Sequence, residues 1–262
     1  MRNLLTSIPV LATALLCEAH ASTISVNFTR PSDAVNTTMG ASDVAGVAGT
    51  QTRVDHWNNV AGGDGTTSGL AYSDTTASGA SITVAGSIGA WGLSQSVSSG
   101  DDRMWNGYSD FDNNQGSITV NNLSLTGSYD VYVYFDGQNG SNWKIGEYSI
   151  GSTTFSAEDT ENTSWGTGNN TAKVYQLPQS GGTSNATWPV SGGNGNEGNY
   201  LVFSGITGSS FTLNVRGTAA GDGTYRAPVN GLQIVGASAV PEASGLLAAF
   251  PALLGLMHRR RA

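Results

Sequence analysis

Tyr129-Asp130-Val131-Tyr132-Val133-Tyr134-Phe135 is the stretch on which the reading of the fold turns. Six of its seven residues are aromatic or β-branched, the density expected of a central strand. Side chains of an extended chain alternate between faces, so Val131, Val133 and Phe135 share one side while Tyr132 and Tyr134 share the other. The aliphatic set is expected to face the core.

Working outward, the same kind of signal recurs in shorter runs. Ser81–Val84 and Ser117–Val120 alternate polar and branched apolar residues, the mark of a half-buried strand. Ser22–Val26, Lys144–Ile150, Ala172–Leu177, Tyr200–Phe203, Phe211–Val215 and Leu232–Val235 complete the set, each bounded by Gly, Asn or Ser. No window of a dozen residues between these runs has a helical period. About ten short strands with almost no helix predict an all-β fold of two packed antiparallel sheets. A jelly-roll-like β-sandwich is favoured over an immunoglobulin-type one. The stretch 22–239 is about twice the ~100 residues of an immunoglobulin domain and lacks its Cys…Trp…Cys framework. Two hairpin-like units are expected, Ile118–Phe135 and Tyr200–Val215, turning at Thr126-Gly127-Ser128 and Thr207-Gly208-Ser209, where Gly supplies positive φ. Gln179–Gly198, dense in Gly, Asn and Ser, reads as a long loop.

The two ends of the chain have a different character. Met1-Arg2-Asn3, an apolar run from Leu4 to Leu16 and Ala19-His20-Ala21 follow the charge, apolar and small-residue order of a secretory signal peptide, 1–21, cut after Ala21. Cys17 would leave with it, so the exported domain, 22–239, holds no cysteine and no disulfide. Residues 240–262 begin with Val240-Pro241-Glu242, continue through thirteen uncharged residues, Gly245–Met257, and end on Arg259-Arg260-Arg261. A helix of that length reaches about 20 Å, short of the roughly 30 Å hydrocarbon core. The arginines would orient it with the tail cytoplasmic and the large domain outside. Between the tails lie seven basic and seventeen acidic residues, a net charge near −10. That balance disfavours nucleic acid and anionic lipid as partners.

The pattern of 240–262 resembles the PEP-CTERM sorting signal, with Ala243 where that family usually has a second proline. The resemblance implies an exosortase-type enzyme as a processing partner near Pro241-Glu242. It also implies transient insertion in the inner membrane and delivery to the cell envelope or extracellular polysaccharide matrix. A simple C-terminal anchor is the alternative. The large domain resembles a β domain of exported proteins of Verrucomicrobia and Planctomycetes that carry this same tail. Trp57-Asn58-Asn59, Met104–Tyr108, Tyr129–Gly137, Asn199–Phe203 and Ala227–Ile234 carry that likeness. Pro228–Ile234 is also similar to the last strand of galactose-binding-like jelly rolls, in which carbohydrate modules end similarly.

Chemistry-bearing residues are few. Of three histidines, His20 and His258 fall in the tails, leaving His56 alone. Nucleophile-elbow, His-Glu-x-x-His and paired-Cys patterns are missing, which leaves no ligand set for transition-metal chemistry. Carboxylates remain, among them Glu147, Glu158, Glu161 and Glu197, and a glycoside hydrolase needs two about 5–10 Å apart across a cleft. Asp101, Asp102, Asp110, Asp112 and Asn114 crowd oxygen ligands into a short span, a candidate structural calcium site, without the glutamate that closes an EF-hand loop. Trp and Tyr faces stack on the C–H face of sugar rings. Trp91, Trp105, Tyr108, Trp143, Trp165 and Trp188 are candidates, and Trp143, Trp165 and Trp188 are preferred for their polar, Gly/Asn-rich surroundings. Two functions are expected from this: an exported, non-catalytic surface or matrix protein that binds polysaccharide, or a secreted carboxylate-dependent hydrolase.

Overall fold

A computed structural model describes residues 21–47, 52–93, 97–138, 144–159 and 197–238. Its strands are β1 (Ala21–Thr29), β2 (Asn58–Ala61), β3 (Gly65–Ser68), β4 (Ser81–Ala85), β5 (Gly89–Gly92), β6 (Gly107–Phe111), β7 (Gly116–Asn121) and β8 (Leu125–Tyr134). They continue as β9 (Lys144–Ile150), β10 (Thr153–Asp159), β11 (Glu197–Gly198), β12 (Tyr200–Thr207), β13 (Phe211–Ala220), β14 (Ala227–Val229) and β15 (Gly231–Ser238). Among the described residues, two short α-helices, α1 (Ala34–Thr37) and α2 (Gly100–Asn106), and a 3₁₀ turn over Pro31–Asp33 lie between them. The fold is all-β, as the alternation requires.

Among the described residues three sheets form, in the orders β12-β8-β15-β1-β2, β11-β10-β9-β13-β7-β4-β3 and β14-β6-β5. Of their strand pairs only β1·β2 and β10·β11 are parallel. The first two sheets pack face to face over one core. Val131 and Val133 of β8, with Phe135 just beyond it, enter that core with no exposed surface, as their alternation demands. Ile24, Val26 and Phe28 of β1 join them from the same sheet. Ile118 and Val120 of β7 and Leu213 and Val215 of β13 meet them from the other. β1 opens at Ala21 and pairs with the end of β15 at Ala237, so first and last strands lie side by side.

The two expected hairpins do not form. β7 and β8 belong to different sheets, as do β12 and β13. Each unit crosses the sandwich instead of folding back in one sheet. Thr126-Gly127-Ser128 is accordingly not a turn; it lies inside β8, where Gly127 takes φ +73° opposite a register shift between Val235 and Ala237 of β15. Gly205 (φ +72°) marks the matching bulge in β12. A bulge and a turn make the same demand for positive φ, which glycine meets in either.

The outer face of the five-stranded sheet is also covered. Tyr134 and Tyr200 pack there with Met39, Ala45, Trp57, Met104 and Trp105, contributed by the segment after β1 and by α2. Polar groups beneath this layer are bonded. Gln233 donates to Ser25 Oγ (2.9 Å) and to the Thr52 carbonyl (2.6 Å), and accepts from the Tyr134 hydroxyl. Asn27 donates to the Thr37 carbonyl (2.7 Å) and to Asn59 Oδ1 (2.9 Å). These bonds offset most of the cost of burying polar side chains on this face, although Asn27 Oδ1 is buried without a hydrogen bond among the described residues.

Of the expected signal-cleavage residues, Ala19 lies outside the described residues, whereas Ala21 opens β1. The sorting-tail residues Val240, Pro241, Glu242, Arg259, Arg260 and Arg261 and the strand expected at Ala172–Leu177 also lie outside the described residues. Among the described residues no helix is long and apolar enough to cross a membrane.

Candidate functional site

The third sheet builds the site. β6 is its centre strand, with β5 and β14 on either side. Tyr108 and Asp110 stand two apart on β6 and so share a face. Register places Trp91 of β5 opposite Tyr108, and both Gly89 and Pro228 opposite Asp110. Together with Arg226, Gly137 and Gln138 these side chains line a cleft of about 140 Å³. That is below the 300–1,000 Å³ of enclosed small-molecule pockets, and it suits one ring of a longer ligand.

Trp91 is the unusual residue. Trp57 and Trp105 are 4% and 3% exposed, whereas Trp91 leaves 43% of its surface in solvent. Neighbouring Gly89 and Gly92 offer it no side chain to pack on. Arg226 lies over its ring with the guanidinium carbon 6.0 Å from the centroid, at the outer limit of a cation–π contact. The same Arg226 donates from Nη1 to Asp110 Oδ2 at 2.8 Å. Its other N–H groups have no acceptor among the described residues.

Asp110 is 4% exposed, and its second oxygen, Oδ1, is buried without a hydrogen bond. Burial is the main influence on it and pushes the carboxyl up to about 6, against the opposing pull of the Arg226 charge. At neutral pH the ion pair is therefore formed, and it fixes the guanidinium relative to the indole.

One buried side chain ties this cleft to the sandwich. Asn230, between β14 and β15, donates to the carbonyls of Trp105 (2.8 Å) and Gly107 (3.1 Å) and accepts from the Asp136 amide (2.6 Å). Those bonds hold the start of β6 and the segment after β8, which supplies Gly137 and Gln138. Gln138 in turn donates its amide to the Tyr108 hydroxyl at 3.2 Å. The segments Met104–Tyr108 and Ala227–Ile234, picked out in the sequence by resemblance, thus meet at Asn230.

The other expected residues fall elsewhere. Trp143, Trp165 and Trp188 lie outside the described residues, and so does Glu161. Trp105 is buried in the outer layer. Asp101 is ion-paired with Arg53 (2.9 Å), and Asp102 accepts from the Ser98 amide and hydroxyl, both at 2.7 Å. Asp112 accepts from the Asn114 amide (2.8 Å) and side chain (3.1 Å) in a local turn. The five-residue strand β6 separates the Asp101–Asp102 pair from Asp112 and Asn114, a run of roughly 16 Å at 3.3 Å per residue. Among the described residues no three His, Cys, Asp or Glu side chains are grouped to hold a metal. Glu147 pairs with Arg216 across β9 and β13 at 2.7 Å, away from the cleft, and Glu158 is buried on β10. Asp110 is the one carboxyl lining the cleft among the described residues.

Sequence reasoning gave Trp91 no preference and passed over Arg226. The available signal was local: Gly89-Ala90-Trp91-Gly92 sets an indole among residues too small to bury it. No protein family, characterised protein or solved structure matches this chain.

Proposed function

We propose that this is an exported, non-catalytic surface or matrix protein. On this reading a jelly-roll domain binds polysaccharide through the Trp91 cleft, and the C-terminal tail directs sorting. The observation that carries the binding reading is Trp91 itself, a 43%-exposed indole at the edge of a cleft that also presents guanidinium N–H groups. Exposing that much aromatic surface costs burial energy, and a sugar C–H face would recover it.

The sheet orders support the finer fold reading. Taking β1, β7, β8, β9, β10, β12, β13 and β15 as eight successive strands, one sheet runs first-eighth-third-sixth and the other second-seventh-fourth-fifth. That order is the one expected of the double Greek key wrapping of a jelly roll and supports that reading, with β2 to β6 as an insertion after the first strand.

The hydrolase reading has one observation in its favour, the raised carboxyl of Asp110, a property a general acid needs. Among the described residues it lacks the second cleft carboxyl that a base or nucleophile would require. Two measurements test the proposal. Affinity electrophoresis of the full chain through polysaccharide gels should show retardation that Trp91→Ala weakens; equal mobility of wild type and variant in every gel would end the cleft reading. Mass spectrometry of the mature envelope protein should find no peptide running through Arg259; such peptides would replace sorting with simple anchoring.

A further inference from the structure

We infer that the cleft takes uncharged pyranose residues of a neutral polysaccharide and rejects uronates, with Asp110 setting this choice as a positioning residue. The inference rests on the proposed binding role and narrows its ligand. Three features carry it. Trp91 offers an apolar ring face at the edge of a space sized for one ring. Arg226 offers N–H donors to ring hydroxyl or ether oxygens, since among the described residues only its Nη1 is engaged.

The third feature is charge. Arg226 is the one cation lining the cleft among the described residues, and Asp110 already neutralises it at 2.8 Å. Asp110 Oδ1 is buried with no hydrogen bond among the described residues. Asp112 adds a further negative charge from beyond the end of the same strand. A uronate carboxylate entering here would meet a guanidinium whose charge is spent, beside a carboxylate in a low-dielectric setting. A hydroxyl accepts the same N–H bonds without that repulsion. Orientation follows too, because the Asp110 bond holds the guanidinium in place over the indole.

The test is affinity electrophoresis of the full chain at pH 8 and low salt, in gels containing a neutral β-glucan or a polyuronate. Wild type should be retarded by the glucan only. Trp91→Ala should weaken glucan retardation about ten-fold. Asp110→Asn keeps the shape but frees the Arg226 charge, so it should gain retardation by the polyuronate, and added salt should abolish that gain. Arg226→Gln should lose glucan binding and gain no polyuronate binding. If Asp110→Asn does not fold, judged by its melting curve, the wild-type preference and the Arg226→Gln result decide. No retardation in either gel overturns the binding role itself. Glucan and polyuronate binding that are equal, and equally lost in Trp91→Ala, leave that role intact and overturn the selectivity.

Discussion

Replacing Asn230 by alanine should unfold the protein more readily than any single loss of contact on the surface. The residue is fully buried and makes three side-chain hydrogen bonds, to the Trp105 and Gly107 carbonyls and from the Asp136 amide. Alanine withdraws the partner from all three backbone groups at once. A buried group stripped of its partner costs about 1–3 kcal/mol. Some water entry into the vacated space would soften the sum. The expected loss is roughly 3–6 kcal/mol, a large share of the 5–15 kcal/mol typical of a folded domain. For a domain of this size that corresponds to a melting temperature lower by about 10–20 °C. Urea unfolding followed by tryptophan fluorescence measures it, because Trp57 and Trp105 lie in the outer layer beside this junction. Asn230→Asp should be no better at neutral pH: it keeps an acceptor for Asp136 but points a carboxylate at two carbonyls. Acidification should partly restore it as the new carboxyl gains a proton to donate. An Asn230→Ala variant that loses less than about 1 kcal/mol with an unchanged urea slope would refute the hub.

Stability should also carry the signature of Asp110. Its folded value is raised to about 6, above the unfolded carboxyl, so the folded state holds the extra proton between roughly pH 4 and 6. That contribution is present at the acid end of the window and is lost as pH rises through it, on the order of 2–3 kcal/mol. Asp74 and Asp222, held low by hydrogen bonds from Thr76 and Lys144, slope the opposite way. The measurement is therefore the difference between wild type and Asp110→Asn across this window; parallel curves would remove the argument. Chelation gives a second check. Asp101, Asp102 and Asp112 each have protein partners, so EDTA should leave the melting temperature unchanged, and a fall of several degrees would support a structural calcium.

The sandwich itself was legible because its strands obey a strong local rule. Val131, Val133 and Phe135 alternate with polar or aromatic neighbours, and burial on one side follows from period two alone. Lys144–Ile150 forms a strand with the expected bounds for the same reason. Pairing was less legible. Ile118–Val120 and Tyr129–Phe135 are close in sequence, yet which sheet each joins depends on partners a hundred residues away, such as β15 for β8 and β13 for β7. The third sheet left little trace. Gly89–Gly92, Gly107–Phe111 and Ala227–Val229 carry few branched residues, and β6 is buried on both faces by what surrounds it. The site inherits that obscurity: Trp91, Asp110 and Arg226 come from three segments that only the folded chain brings together.

The most direct test of the account is the indole N–H spectrum of the full chain in nitrogen-15-labelled form. Six tryptophans give up to six such signals, and the one missing from Trp91→Phe identifies Trp91. Titration with a neutral β-glucan oligosaccharide should move that signal while those of buried Trp57 and Trp105 stay in place. A Trp91 signal that stays still at saturating oligosaccharide, whether or not another moves, would contradict the assignment of the cleft as the binding site.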